Sequence, residues 1–211
     1  MDTYTAPDWS RSALITIDTQ RDTLDGQPFE IQGTSSVLPR MKVLLDAFLA
    51  AERPIVHIVR IYRPDGSNVD LCRRTLVEQG ASLVLAGSPG HQLAPDILPN
   101  PDVQLDDALL LSSGIQQIGQ NEVVIYKPRW GAFYQTPLHD HLTGLQISTL
   151  VFSGCNYPNC PRTSIYEASE RDYRVVLADD ATSGVYDRGR QEMQNIGVAL
   201  LSTDLIVNEP G

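Results

Sequence analysis

The chain has 211 residues, 42% of them apolar and 20% charged, with 16 Lys and Arg against 26 Asp and Glu for a formal charge of −10. A chain of this length can bury a full core and fits one globular domain, and its acidic balance argues against nucleic acid or an anionic membrane as partner. Cys72, Cys155 and Cys160 are too few for a disulfide framework. The N-terminal stretch has no basic region followed by an apolar run, and no window reaches the apolar length of a spanning helix. The expectation is a soluble, uncleaved, cytoplasmic protein with reduced thiols.

Taken in chain order, Ala13 to Thr19 (ALITIDT) reads as a strand buried on both faces. Val37 to Ala51 carries apolar residues at spacings of three and four, with Ser35 or Ser36 as cap and Pro39 early enough to be tolerated, so it predicts an amphipathic helix. Ile55 to Tyr62 is the second strand, closed by the turn types Pro64-Asp65-Gly66-Ser67, and a helix follows from Val69 to Gln79. Between Ser82 and Asn121, repeated Gly and Pro predict irregular chain with short pieces of helix. Glu122 to Tyr126 is a strand, Pro137 to Leu145 a helix, Ile147 to Ser153 a buried strand and Pro161 to Arg171 a helix. Arg174 to Ala178 as strand, Asp187 to Ser202 as helix and Leu205 to Val207 as strand complete the series. Such alternation implies a three-layer α/β/α domain over residues 1–211, with an open, mostly parallel, Rossmann-like sheet of about six strands.

Ligands collect at the carboxyl ends of strands in such sheets. There the sequence offers Asp18, then Arg60 and Tyr62, then Lys127, then the loop from Gly154 to Cys160. A carboxylate, an amine and a thiol are what acyl transfer through sulfur requires: a base, a cation and a nucleophile. Cys160 precedes Pro161, a residue favoured in a first helical turn, so the expectation is a thiol at a helix N-cap with its pKa lowered by the helix. Each residue alone also has an ordinary explanation: a turn Asp, a surface Lys, a small buried Cys. His57, inside an apolar strand, reads as a satisfied core histidine. His139 and His141, two apart on a helix, make a poor metal pair.

Three blocks, ALITIDTQRD, YKPRWGAFYQTPLHDHL and VFSGCNYPNCPRTSIYEASERDYRVVLADDATS, resemble the isochorismatase-like cysteine hydrolase superfamily. The resemblance implies a catalytic Asp, Lys, Cys triad at Asp18, Lys127 and Cys160. It also implies a cis peptide between Cys155 and Asn156 and an oxyanion hole from the N–H groups of Asn156 and Cys160. Family members are commonly homodimers or homotetramers. Nicotinamidases of this superfamily carry Asp-x-His after the second strand, where this chain has Arg60-Ile61-Tyr62, so neither a metal, another cofactor nor nicotinamide is expected. The expected reaction is hydrolysis of an amide or carbamoyl C–N bond in a small molecule through a thioester on Cys160. Arg60, Tyr62, Trp130, Phe133 and Tyr157 are the candidate substrate-binding residues; Arg60 could pair with a substrate carboxylate or be structural. The alternatives are a vinyl-ether hydrolase and a catalytically silent ligand-binding oligomer. A redox protein using Cys155 and Cys160 ranks below these because their spacing is not C-x-x-C.

Overall fold

In a computed structural model, described over residues 2–209, seven strands form one sheet in the order β3-β4-β2-β1-β5-β6-β7. These are β1 Ser12–Ile17, β2 Ile55–Val59, β3 Ile115–Gly119, β4 Glu122–Tyr126, β5 Thr149–Gly154, β6 Arg174–Thr182 and β7 Ala199–Leu201. All pairings are parallel except that of the edge strand β3 with β4. Every residue of β1, β2, β4 and β5 is buried, as strands covered by helices on both faces must be.

The helices are α1 Thr34–Ala50, α2 Leu71–Glu78, α3 Asp107–Leu111, α4 Leu138–Gly144, α5 Cys160–Ser169, α6 Asp187–Asn195 and α7 Thr203–Val207. Alternate residues of β1 feed two cores. Leu14 joins Val37, Met41, Leu44 and Phe48 of α1 with Ile206 of α7 on one face. Ile15 and Ile17 join Leu138 and Leu142 of α4, Ile165 and Ala168 of α5 and Met193 of α6 on the other. The three-layer expectation therefore holds. His57 is a satisfied core histidine: its Nδ1 lies 2.7 Å from Thr16 Oγ1 and its Nε2 2.7 Å from Glu122 Oε1.

Three sequence readings are corrected. The sheet has seven strands rather than six, because β3 lies inside the stretch read as irregular. The helix expected to run to Ser202 stops at Asn195. Gly197 turns left-handed (φ +82°), and the Val198 N–H returns to the Met193 carbonyl at 3.1 Å, which frees Ala199–Leu201 to join β6. Leu205 to Val207 is helical rather than extended. The Asp180 carboxylate accepts both the N–H and the hydroxyl of Thr203, at 2.7 and 2.8 Å, and so anchors the first turn of α7. No helix of the described residues is long and apolar enough to cross a membrane.

Candidate active site

Because β1, β2, β4 and β5 are neighbours and parallel, their carboxyl ends bring Asp18, Arg60, Lys127 and the Gly154–Cys160 loop to one edge. Asp18 leaves β1 in the left-handed region (φ +48°), uncommon for a residue other than glycine. It is held there from several sides. Its N–H donates to the Ile58 carbonyl at 2.9 Å, and its own carbonyl accepts from the Cys155 thiol at 3.0 Å and the Thr23 hydroxyl at 3.2 Å. The Lys127 N–H continues the sheet by donating to the Val59 carbonyl, and its Nζ crosses the end of β2 to donate to Asp18 Oδ2 at 2.8 Å. Lys127 is fully buried. Asp18 Oδ1 has no hydrogen-bond partner among the described residues.

Cys160 opens α5 as its first helical residue, with Asn159 in the preceding cap position, so it lies one place later than the sequence suggested. Its thiol stands close enough to the Asp18 carboxylate to feel its charge. Burial first, then the Asp18 charge, push it up to about 11, against the opposing pull of Lys127 and Arg60. The expected lowering by the helix is therefore reversed, since desolvation of a buried sulfur outweighs a partial charge at a helix end. Cys155 is pushed up to about 12 by burial and the same Asp18 charge. It serves as a hydrogen-bond donor to the backbone of Asp18.

The peptide between Cys155 and Asn156 is trans, as are all peptides among the described residues, which corrects the cis expectation. The chain instead takes its sharp turn at Gly154 (φ +110°), and the loop is pinned by Cys155 N–H to the Ile17 carbonyl and Tyr157 N–H to the Ser183 carbonyl. The N–H groups of Asn156 and Cys160 donate to no protein acceptor among the described residues.

Beside Asp18 lies a cavity of about 220 Å³, with Arg60 and Arg73 among its polar lining and Phe29, Ile31 and Leu83 among its apolar lining. A larger depression of about 440 Å³ by the start of β6 shares no residue with it. Arg60 is buried, and its Nη1 donates to Asp70 Oδ2 at 2.7 Å and to the Pro128 carbonyl at 2.9 Å, while its Nε and Nη2 have no partner among the described residues. Tyr62 is turned to Asp70, donating at 2.6 Å, and is a support for that carboxylate rather than a wall of the cavity. Trp130 stands under Arg73, whose guanidinium carbon is 5.0 Å from the ring centroid.

Two aromatic candidates are corrected. Phe133 packs with Tyr173 and under Arg171, and Tyr157 is fully buried with its hydroxyl on the Gly189 carbonyl at 2.9 Å. Both belong to the core beneath α4, α5 and α6, because apolar rings beside a motif follow the nearest dry surface. The sequence reading missed Arg73 and the apolar lining. Phe29, Ile31 and Leu83 lie in aperiodic loops, but the Asp70 to Arg73 spacing of three, at the start of a helix, was a readable signal.

A three-layer α/β protein with a buried acid, amine and thiol at its strand ends holds the groups that acyl transfer through sulfur needs. Residues 12–204 match the family model of the isochorismatase domain, and the chain belongs to that family, among hydrolases. It is 28% identical to a probable inactive nicotinamidase of Arabidopsis thaliana, over 90% of this chain and 91% of that one. It is 27% identical to an N-carbamoylsarcosine amidase of an Arthrobacter species, over 94% and 70%. A crystal structure of an isochorismatase family protein from Desulfovibrio vulgaris superposes with a TM-score of 0.79 at 29% identity, covering 93% of this chain and 96% of that one.

Proposed function

We propose that this hydrolase cleaves a C–N bond of an amide or carbamoyl type in a small molecule, through a thioester on Cys160. The observation that carries the reading is the Asp18 carboxylate, bound at 2.8 Å by the buried Lys127 amine and close enough to the buried Cys160 thiol for its charge to oppose ionisation of the sulfur. A thiol pushed up to about 11 is neutral at ordinary pH, so attack requires a base at the sulfur, and Asp18 is that base. As the S–C bond forms, the thiol proton passes to Asp18, while the positive charge of Lys127 stabilises the negative charge on the sulfur. The carbonyl oxygen becomes an oxyanion, held by the two unoccupied N–H groups of Asn156 and Cys160. Collapse breaks the C–N bond, and the leaving nitrogen takes the proton from Asp18. A water then gives its proton to Asp18 and its oxygen to the thioester carbon. The acid leaves and the sulfur recovers its proton.

The name of the Arthrobacter relative, an amidase, points the same way. The test is ammonia release from a panel of small primary amides and carbamoyl compounds, with mass spectrometry of the protein during turnover. Expected are an acyl adduct on Cys160, no turnover in Cys160→Ala, and a fall of about 100-fold or more in Asp18→Asn. Turnover that survives Cys160→Ala, including pyruvate release from isochorismate, would overturn the thioester mechanism.

A further inference from the structure

We propose that Asp22 is a positioning residue that sets the size limit of the cavity beside Asp18. Its carboxylate holds Val84 in a strained left-handed turn, and the wall formed by Leu83 and Val84 confines what reaches Cys160. This rests on the hydrolase reading above and adds the device that selects its substrates: compact amides and carbamoyl compounds rather than ones carrying a ring beside the amide.

Among the described non-glycine residues with positive φ, Val84 (φ +40°) alone has a β-branched side chain. That combination is a genuine outlier, because Cβ crowds the carbonyl that follows it. Such a conformation persists only where the surroundings impose it, and it gathers at ligand sites. Val84 lies in that setting, 3% exposed and in the cavity wall with Leu83, Phe29 and Ile31. Three contacts impose the turn. The Val84 N–H donates to Asp22 Oδ2 at 2.6 Å, its carbonyl accepts the Tyr62 N–H at 2.9 Å, and the Tyr62 carbonyl accepts the Ala86 N–H at 2.9 Å. The last two bridge Leu85 to Tyr62 beyond the end of β2. Asp22 is then the one side chain bonded to the Val84 backbone among the described residues.

Asp22 is itself built into place. It sits in the short 3-10 turn Arg21–Thr23 that follows Asp18, is buried, and is not among the residues that line the cavity. Its carboxylate passes so close to Gly90 that a Cβ there would stand 1.8 Å from Oδ1. Gly90 has no positive φ, so the glycine is there for room. A carboxylate that takes a loop N–H is ordinary by itself. Here the N–H belongs to the strained residue of the cavity wall. Without the carboxylate a buried N–H loses a charge-assisted bond, and relaxation of Val84 to negative φ moves the wall that bounds about 220 Å³.

The experiment labels Cys160 near pH 9 with iodoacetamide and with the bulkier 2-iodo-N-phenylacetamide, each rate read by peptide mass spectrometry and divided by that of exposed Cys72. In the wild type the small reagent should be preferred at Cys160 by about tenfold or more. Asp22→Ala should lower that preference several-fold, and Asp22→Asn, which keeps an oxygen for the Val84 N–H, should largely retain it. Asp106→Ala, which removes a like bond to the Leu109 N–H at the start of α3, should leave it unchanged. Urea unfolding reads the strain. Val84→Gly should unfold at higher urea than Val84→Ala, the reverse of the usual order, and Asp22→Ala should shift the midpoint less in Val84→Gly than in the wild type. Should Asp22→Ala fail to fold, Val84→Gly, which frees the turn, should show the lost preference in its place. No preference in the wild type, no labelling by either reagent, or a preference that survives Asp22→Ala would overturn the size limit. A more stable Val84→Ala would overturn the strain that the clamp opposes. Labelling needs no turnover, so the two readings fail separately. Ammonia from a protein without size preference leaves the hydrolase and removes the wall, and an Asp22-dependent preference with no ammonia from any amide does the reverse.

Discussion

At Cys160, burial and the Asp18 carboxylate both oppose ionisation, and the thiol rises to about 11 although Lys127 and Arg60 pull it down. The sulfur therefore reacts only with a base beside it or at high pH. With iodoacetamide near pH 7, exposed Cys72 should alkylate first and Cys160 slowly. The Cys160 rate should climb about tenfold per pH unit and level off near pH 11. Peptide mass spectrometry over time reads both sites, and pH-independent labelling of Cys160 would refute a buried neutral thiol. Asp18, Lys127 and Cys160 were legible in the sequence because each directly follows a strand or opens a helix. The direction of the Cys160 shift was not. Pro161 advertises a helix start, but desolvation and the closeness of Asp18 depend on residues distant along the chain. Tyr157 and Phe133 were misplaced for a related reason, since closeness in sequence to Cys160 or Lys127 does not say which side of the sheet a ring will face.

The turn from β5 into the loop that carries Cys160 depends on Gly154, where φ is +110° and a Cβ would stand 2.3 Å from the Ile17 carbonyl oxygen and 2.7 Å from its nitrogen. Both atoms belong to β1, which cannot recede without breaking its pairing with β5. Gly154→Ala should lose about 2–4 kcal/mol in urea unfolding and most of the activity. Gly144→Ala, with nothing within 4 Å of the added carbon and a helical position, should be neutral or stabilising by up to about 1 kcal/mol. Equal losses in both would contradict the close approach. At this scale the parallel strands were readable because burial on both faces leaves continuous apolar runs. The edge strand β3 was not: its residues are mostly half-buried and include Gln116 and Gln117. Nor was the end of the chain, where a left-handed glycine and a distant Asp180 decide between strand and helix.

Over the whole molecule, the two buried thiols make stability fall in alkali. A thiol in the unfolded chain titrates near 9, whereas Cys160 and Cys155 are raised to about 11 and about 12. Below the unfolded value both states carry the proton and the contribution is complete. Between the unfolded and folded values the unfolded state has released a proton that the native state retains. The unfolding free energy then declines by about 1.4 kcal/mol per pH unit for each thiol. Urea unfolding between pH 8 and pH 10.5, with reductant present, measures that slope. Cys155→Ala will be less stable overall, because it leaves the Asp18 carbonyl with one donor fewer and opens a small void. Its slope above pH 9 should nonetheless be shallower than that of the wild type by about 1.4 kcal/mol per pH unit. Self-repulsion within this acidic chain also grows in alkali, but it acts equally on both proteins, so the difference in slope isolates the thiol. Parallel slopes would mean that Cys155 titrates as it does in the unfolded chain and that the environment beneath Asp18 is wetter than the packing described above.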